Sequence, residues 1–454
     1  MPGPPLSQRA RKQLDASADS PLLKALGRTF GDPRSDDNPD GVINAGLAEN
    51  SLLHDWLTEF WERPGTLKLE HTDLTYGKSI FGSDRIFAAL GQLYHTYFHP
   101  HEPVEPSHIV TSNGLSPLIS RLAAATSDVG DERLIPAPWY NGFKQDLQGT
   151  SQVGITSVAV PVGAHGTIGE VEALDQEMQR RRGDSSAPRV TAVLLTSPHN
   201  PLGFCYSRDV LIEYCKFAER WNLYLVADEI YALSVFEADD CPDALPFTSI
   251  LSIDVAAEAG CDPSRIVQLY GASKDFGCNG LRAGVAVIQH NVDLMSALAA
   301  TAMEMRMGSP TDALWSALLT SPELPTYLSL NKAALGRAYK YLTAWLRAHG
   351  LPYTPAHAGH FVLVDWRAHV DKVDVEVGEG ARGGRFAREV AFLDRIVDAG
   401  VYLGPGFSYA CPEPGFFRMT FSIRRFELEI ALERLETLVG LEERARELSK
   451  LYPS

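Results

Sequence analysis

The chain has few cysteines, a deficit of basic residues and no long apolar run. Six of its 454 residues are cysteines, widely spaced and without a C-x-x-C pair, which is typical of reduced thiols rather than of a disulfide framework. Its 41 basic residues are outnumbered by 57 acidic ones, and a net charge of −16 argues against nucleic acid and anionic membranes as partners. No run approaches the roughly 18 apolar residues of a membrane span, and residues 1–12 contain no apolar leader. We therefore expect a cytoplasmic protein.

Metal-binding and phosphate-loop patterns are also scarce. His95 and His99 have the i, i+4 spacing of one helix face, but no Glu completes an H-E-x-x-H motif and no cysteine lies nearby. We expect a helix end with solvated histidines and no metal site. The glycine-rich segment 377–385 lacks the G-x-x-x-x-G-K-[ST] order and is expected to be an exposed loop.

The chain does have the length of about two or three domains and enough apolar residues for a sizeable core. It is 45% apolar and 22% charged, an ordinary globular composition. From about residue 108 onward, strand-like runs alternate with helical stretches, which predicts a mostly parallel sheet covered by helices. The predicted strands are 108–111, 133–135, 155–160, 190–195, 224–227, 266–270 and 284–288.

A second pattern begins near residue 353 and predicts a smaller α+β domain. Its predicted elements are a strand at 361–365, a helix at 387–399, a strand at 416–421 and a helix at 427–451. We therefore expect an α/β protein of three parts: an N-terminal arm with part of the small domain in 1–70, a large domain in 71–330 and a small C-terminal domain in 331–454.

Lys274 follows the predicted strand 266–270 and stands among small residues, within the sequence YGASKDFGCNGLRAG. Desolvation lowers the pKa of a lysine and makes its amine available as a nucleophile for Schiff-base chemistry. The same pattern, taken alone, also fits a surface lysine in a glycine-rich loop. Ligands of parallel sheets bind beyond the carboxyl ends of the strands, so the loops after the other strands decide between these interpretations.

Two of those loops carry polar groups that a ligand could use. Asn200 lies between two prolines in SPHNPLG, and such a stiff turn fixes the amide side chain. Asp228 follows the predicted strand 224–227, and Tyr231 comes three residues later, so both could line one pocket. Each signal alone also fits an ordinary loop or a helix cap.

The ordered set of these motifs resembles the fold-type I pyridoxal-phosphate enzymes of the class I/II aminotransferase family, over about residues 40–440. The resemblance implies that the cofactor is pyridoxal 5′-phosphate and that Lys274 binds its aldehyde as a Schiff base. The motifs are N-P-x-G at Asn200, D-x-x-Y at Asp228, S-K at Ser273 and the arginine Arg282.

The resemblance also assigns roles around the cofactor ring. Asp228 would keep the ring nitrogen protonated, because a buried carboxylate raises the pKa of that nitrogen. Asn200 and Tyr231 would contact the ring 3-oxygen. Tyr140 matches the stacking position, with Trp139 as a second candidate. The residues expected to be catalytic are Lys274, Asp228 and Tyr231.

The cofactor phosphate needs backbone amides at a helix N-terminus and a cation. The segment 112–116 follows the predicted strand 108–111 and should open a helix. Gly271 departs from the family pattern, since a phosphate-binding serine is usual three residues before the lysine. The expected phosphate ligands are Asn113, Gly114, Leu115, Ser273 and Arg282.

Three segments resemble the 1-aminocyclopropane-1-carboxylate synthase-like branch of the family: 46–50, 138–147 and 413–418. Members of that branch act on S-adenosylmethionine by α-proton abstraction and γ-carbon displacement. The likeness implies that Arg418 binds the substrate carboxylate, a two-point contact suited to a guanidinium. It places Ala48 and Glu49 at the substrate, with Glu49 near its amino or sulfonium group.

Tyr76 looks like the tyrosine that reaches across a dimer interface to the partner's cofactor phosphate. The resemblance therefore implies a homodimer with shared active sites and an amino-acid substrate.

Some positions around the substrate depart from that branch. The segment 75–83 is longer than the corresponding turn, Trp139 stands where a tyrosine is common, and His360 stands where a small or apolar residue is common. Three hypotheses therefore stay open. They are γ-elimination or γ-substitution on S-adenosylmethionine or a related amino acid, amino-group transfer to a 2-oxo acid, and a non-catalytic relative. The third is disfavoured because both Lys274 and Asp228 are present.

Overall fold

The structure is a computed structural model that describes residues 5–161, 163–375 and 384–452. The predicted exposed loop at 377–385 lies outside the described residues except for its last two positions. The strands of the described part are β1 (Ile43–Asn44), β2 (Ile109–Ser112), β3 (Glu132–Ala137), β4 (Gly154–Ala159), β5 (Val190–Thr196), β6 (Tyr224–Asp228), β7 (Ile266–Gly271), β8 (Gly284–Val287), β9 (Phe361–Asp365), β10 (Val401–Tyr402), β11 (Gly404–Pro405) and β12 (Phe416–Thr420).

Helices connect and flank these strands, and none of those described is long and apolar enough to cross a membrane. They are α1 (Gln8–Ala18), α2 (Pro21–Gly31), α3 (His54–Glu62), α4 (Asp84–Leu93), α5 (Leu115–Thr126), α6 (Phe143–Gln148), α7 (Ile168–Arg182), α8 (Arg208–Arg220), α9 (Val255–Ala259), α10 (Val292–Ala299), α11 (Ala302–Met305), α12 (Ser309–Leu319), α13 (Leu324–Ala348), α14 (Arg367–Val370), α15 (Ala387–Asp398), α16 (Arg425–Val439) and α17 (Ala445–Leu451).

The chain forms two compact units. One comprises residues 49–339 and 355–360, and the other comprises 1–48, 340–354 and 361–454. We call them the larger and the smaller unit.

A seven-stranded sheet organises the larger unit, in the order β2-β8-β7-β6-β5-β3-β4. Strands β3 to β7 pair in parallel, and β8 runs antiparallel to both of its neighbours, β7 and β2. The strands β5 and β7 are buried along their whole length, as expected for a sheet covered on both faces. The predicted α/β class with a mostly parallel sheet is confirmed, and all seven predicted strands belong to this sheet.

The smaller unit contains the three-stranded antiparallel sheet β11-β12-β9 and the parallel pair β1-β10. The apolar faces of α15 and α16 are buried. Its predicted strands at 361–365 and 416–421 and the helix at 387–399 are confirmed within one residue.

The single helix predicted at 427–451 is wrong, because the chain breaks between α16 and α17. Gly440 adopts a left-handed conformation (φ 70°) and ends α16. The buried Glu436 side chain then accepts hydrogen bonds from the backbone N–H groups of Arg444 and Ala445, both at 2.9 Å, where α17 begins. The sequence has helical periodicity on both sides of this turn, so the pattern predicted one continuous helix.

Candidate active site

Chemically useful residues gather at one edge of the seven-stranded sheet. The strands β2, β3, β5, β6 and β7 run in the same direction, so their carboxyl ends share an edge, and the reversed strand β8 begins there. This is the edge at which open α/β sheets bind ligands. The loops at this edge carry Gly114, Tyr140, Asn200, Asp228, Lys274 and Arg282.

Asp228 is the last residue of β6 and is 4% exposed. Its Oδ1 accepts a hydrogen bond from the backbone N–H of Ile230 at 3.2 Å. Burial, with a smaller contribution from the nearby Asp146 carboxylate, raises the pKa of Asp228 to about 7, while the hydrogen bond from Ile230 N–H and the positive charge of Lys274 act in the opposite direction. The Asp228 carboxylate is therefore poised to pair with a cationic group at this edge.

The loop after β7 holds Lys274 in a fixed backbone position. The Lys274 carbonyl accepts a hydrogen bond from Gly277 N–H at 2.9 Å, and the side chain of Lys274 is half-buried. The next residue, Asp275, is fully buried, and its carbonyl accepts a hydrogen bond from Asn331 Nδ2 at 3.1 Å. The lysine is thus not a mobile surface group.

Asn200 and Tyr231 are both buried in the loops after β5 and β6. The turn that carries Asn200 is closed by hydrogen bonds from His199 N–H to the Phe204 carbonyl and from Gly203 N–H to the His199 carbonyl, both 2.8 Å long. These bonds fix the backbone of the turn around Asn200. Ser197–Pro198 and Asn200–Pro201 are cis peptide bonds.

The structure distinguishes the two aromatic candidates after β3. The Trp139 indole is buried and donates a hydrogen bond to Ser157 Oγ of β4 at 3.0 Å, so this side chain packs against the sheet. Tyr140 is half-buried and contacts Phe143 edge-on, with 5.1 Å between ring centroids. A Cβ at Gly142 would lie 2.5 Å from Cε1 of the Tyr140 ring, so glycine is required for the ring to hold this position.

Gly114 and Arg282 form a cradle at the start of α5, a helix of 12 residues. Gly114 is the N-cap with φ 101°, and a Cβ there would lie 2.9 Å from Cζ of Arg282. The guanidinium donates to the Asn279 carbonyl at 2.9 Å and stays exposed. Helix N-terminal amides and a cation together attract an anion. Of the other expected phosphate ligands, Asn113 is exposed, and Leu115 and Ser273 are half-buried.

Gly271, the departure from the family pattern, has a steric explanation. A Cβ at this position would lie 2.5 Å from the carbonyl oxygen of Ala283 and 3.2 Å from Cα of Gly284. The strands β7 and β8 pair too closely here for any side chain. The serine that is usual at this position would not fit.

Asp146 is a polar residue of the site that the sequence analysis did not identify. It is buried on α6, and its Oδ2 has no hydrogen-bond partner among the described residues. Burial raises its pKa to about 6, while the Ser116 hydroxyl and the Arg282 charge act in the opposite direction. The i, i+3 spacing of Phe143 and Asp146 was the available signal, since it places both residues on one side of the short helix α6.

Glu49 lies against the lysine loop. Its Oε1 accepts a hydrogen bond from Asn279 Nδ2 at 3.0 Å, five residues beyond Lys274. Two residues that follow Glu49 also hold this segment in place. His54 Nε2 lies 3.0 Å from the Gly277 carbonyl oxygen. Asn50 is buried, and its side-chain amide donates a hydrogen bond to Asn331 Oδ1 at 2.9 Å.

Arg418 lies in the smaller unit, at the centre of β12, and is 2% exposed. Its guanidinium carbon lies over the rings of Phe361 and Tyr409, with 4.5 and 4.7 Å from Cζ to the ring centroids. Its Nη2 donates to the Gly46 carbonyl at 2.6 Å. Ala48 is buried in the same unit. Contacts of this kind with aromatic rings restrict the movement of a guanidinium.

Tyr76 differs from the other candidates because it is 78% exposed. Its backbone carbonyl accepts a hydrogen bond from the Arg306 guanidinium, which fixes the segment while the ring points outward. No group of three or more metal-ligating side chains occurs in the part of the chain that the structure describes.

The larger unit contains the groups that pyridoxal phosphate needs. Asp228 provides a buried carboxylate for the ring nitrogen, and Lys274 lies close enough to affect the pKa of that carboxylate. At Gly114, the space that a Cβ would fill adjoins a helix N-terminus and Arg282. An anionic group suits that cradle, and a cationic ring nitrogen would favour the charged form of Asp228. The residues present therefore fit the cofactor.

Comparisons with known proteins agree with this geometry. The family model "Aminotransferase class I and II" matches residues 44–435. The chain is 34% identical to probable aminotransferase aclI of Aspergillus oryzae, over 88% of this chain and 91% of that protein. It is 30% identical to human 1-aminocyclopropane-1-carboxylate synthase-like protein 1, over 89% of this chain and 77% of that protein.

Among solved structures, an aspartate aminotransferase mutant of Thermus thermophilus aligns with a TM-score of 0.70 and 20% identity, covering 96% of this chain and 100% of the other. That match shows an aspartate aminotransferase-like fold. Because the family model covers most of the chain, this protein is a member of the class I and II aminotransferase family, whose cofactor is pyridoxal 5′-phosphate.

Proposed function

We propose that this enzyme removes the α-proton of an amino acid and then breaks or exchanges a bond at the substrate's γ-carbon. The substrate class is S-adenosylmethionine or a related amino acid. The observation that carries this proposal is the hydrogen bond between Glu49 and Asn279, which fixes a carboxylate beside the Lys274 loop. A carboxylate held there favours a substrate with positive charge, such as a sulfonium or an amino group.

Residues of the larger unit have different roles around the α-carbon of the substrate. Lys274 binds the cofactor and carries the α-proton between steps, because a desolvated amine can act as a base. Bound pyridoxal phosphate supplies electron withdrawal from the α-carbon. Asp228 pairs with the ring nitrogen, and Asn200 and Tyr231 hold the 3-oxygen. Tyr140 stacks against the ring.

Further residues complete the proposed site. The cradle of Gly114 and Arg282 holds the phosphate, together with amides of residues 113–115 and Ser273. Arg418 binds the substrate α-carboxylate, with Ala48 beside Glu49 near the substrate. Tyr76 reaches the cofactor phosphate of a partner subunit, so the active enzyme is a homodimer. The exposed ring of Tyr76 is consistent with such a contact. We further propose that the enzyme is cytoplasmic.

Amino-group transfer to a 2-oxo acid is the second candidate. It uses the same cofactor and the same residues around it. Its specific support is that two relatives, at 34 and 33% identity, are named probable aminotransferases. The lyase and the transferase reactions differ only in what happens after the α-proton is removed.

Product analysis separates the two. The holoenzyme is incubated with S-adenosylmethionine or with each of a panel of amino acids, with and without a 2-oxo acid, and the products are identified by mass spectrometry. Side-chain cleavage without any 2-oxo acid supports the first proposal. An aminated 2-oxo acid, formed with the substrate side chain intact, supports transfer instead. The Lys274→Ala variant is the control and should form neither product.

A further inference from the structure

A chain of buried hydrogen bonds links His360 to the residue after Lys274. Ser234 Oγ donates to Oδ1 of Asp275 at 2.6 Å and lies 3.0 Å from Nε2 of His360. All three side chains are fully buried. All three belong to the larger unit.

The number of available protons determines which atom donates in each of these hydrogen bonds. The second carboxylate oxygen of Asp275 accepts from Leu233 N–H and from the Tyr270 hydroxyl, both at 2.8 Å. Burial raises the pKa of Asp275 to about 7, and its hydrogen-bond donors act the other way, so the carboxylate accepts above that pH. The single hydroxyl proton of Ser234 is then committed to Asp275. The Ser234 oxygen must accept from His360, which therefore carries its proton on Nε2.

The same groups also define the position of Tyr231. The His360 ring meets the Tyr231 ring edge-on, with 5.3 Å between centroids and planes at 86°. Ser234 N–H donates to the Tyr231 carbonyl at 3.0 Å, and Gly359 N–H donates to the Ser234 carbonyl at 2.9 Å. Three separate segments, 231–234, 274–275 and 359–360, thus meet at one hydroxyl group.

We propose that His360 is a positioning residue, which acts through Ser234 and Asp275 to fix the Tyr231 ring relative to the Lys274 backbone. This inference rests on the proposed roles of Tyr231 and Lys274 at the cofactor. Both groups act on the same small molecule, so displacement of one relative to the other changes the electronic state of the cofactor as well as turnover. An apolar residue at position 360 would leave the Ser234 oxygen without its donor.

The test measures the holoenzyme without turnover. The absorption band of the lysine-bound cofactor is titrated with pH, and its midpoint reports the contacts of the ring oxygen and the lysine nitrogen. His360→Leu removes both the donor and the edge-on ring, Ser234→Ala removes the link, and His360→Gln keeps an N–H donor near the Nε2 position. Ser249→Ala is the matched control, because that buried serine also donates to a buried carboxylate, Glu229 at 2.7 Å, but does not contact His360.

We expect His360→Leu and Ser234→Ala to shift the midpoint in the same direction by about half a pH unit or more. The double variant should shift it no further than the larger single effect, because both changes break one chain. His360→Gln should restore most of the wild-type value, and Ser249→Ala should lower the thermal stability while leaving the midpoint unchanged.

An unchanged midpoint in His360→Leu, with a loss of thermal stability like that of Ser249→Ala, would overturn the positioning role. Additive shifts in the double variant would also overturn it, since they would indicate two independent contacts. If the wild-type protein forms no lysine-bound cofactor band, the proposed function fails first, so the two failures are distinguishable.

Discussion

Gly114 and the guanidinium of Arg282 pack so closely that a Cβ at position 114 would lie 2.9 Å from Cζ of the arginine. The close approach brings a cation to the amides that open α5. A conformation with φ 101° also makes glycine favourable here. The contact between these two residues therefore brings a cation and helix N-terminal amides together, a combination that suits an anion.

Gly114→Ala should weaken cofactor binding by about tenfold or more, because the methyl group displaces the guanidinium from the helix N-terminus. Gly130→Ala is a suitable control, since Gly130 has a similar φ of 93° but no neighbour within 4 Å of a Cβ. Titration of the cofactor-free proteins with pyridoxal phosphate gives the dissociation constants. Equal losses in the two variants would mean that backbone strain alone matters.

Gly271→Ser tests the steric explanation for the missing phosphate-binding serine. The added Cβ meets the Ala283 carbonyl oxygen at 2.5 Å, so the variant should lose thermal stability and should not bind cofactor more tightly. Thermal unfolding and cofactor titration check both points. A variant that is as stable as wild type and binds the phosphate more tightly would contradict the explanation.

The seven strands could be predicted because each is a short apolar run between turn signals, and runs buried on both faces need no alternation. Their order in sequence also placed Asn200, Asp228 and Lys274 at a common edge. The steric cause of Gly271 could not be predicted, because it depends on the register between β7 and β8.

Other features depend on contacts between residues that are distant in sequence. Asp146 approaches Arg282 over 136 positions, and Ser234 approaches His360 over 126. Residues 355–360 belong to the larger unit although the sequence around them belongs to the smaller one. The helix α1 buries none of its residues, so no apolar periodicity marks it in the sequence.

Asp228→Asn should change how stability depends on pH. Burial raises the native pKa of Asp228 from 3.8 to about 7, so between these values the native state binds more protons than the unfolded state. The resulting stability is fully present below about pH 4 and is lost as the pH rises through about 7. The cofactor-free variant lacks this loss and should be more stable than wild type at pH 8 by roughly 1–4 kcal/mol, at about 1.4 kcal/mol per pKa unit.

Urea unfolding of both cofactor-free proteins at pH 5 and pH 8 measures this difference. The same substitution should lower kcat of the holoenzyme on the order of a hundredfold, because a preorganised charge is removed from the reacting group. A variant that is less stable than wild type at pH 8, or that keeps normal turnover, would contradict the role of Asp228.

Arg418→Lys should leave the cofactor spectrum unchanged and lower kcat/KM for every α-amino acid that is a substrate. Lysine cannot reproduce the planar two-point contact of a guanidinium, which the rings of Phe361 and Tyr409 support in Arg418. Losing a buried charged hydrogen bond costs roughly 2–5 kcal/mol, which is about thirty- to several-thousand-fold. Steady-state kinetics and absorption spectra provide the measurement. A changed spectrum with unchanged kcat/KM would place Arg418 outside the substrate site.

We propose that Glu49 places the substrate's γ-carbon beside Lys274, and Glu49→Gln tests this role most directly. In deuterated water, α-proton exchange and γ-displacement are followed in the same sample by mass spectrometry. Both steps begin with removal of the α-proton by Lys274, and only the second needs the γ-carbon in place. We predict that Glu49→Gln slows γ-displacement by tenfold or more, the order of one lost charge contact, while α-exchange stays near the wild-type rate. Equal slowing of both would make Glu49 an α-amino or structural residue and would favour the aminotransferase reaction.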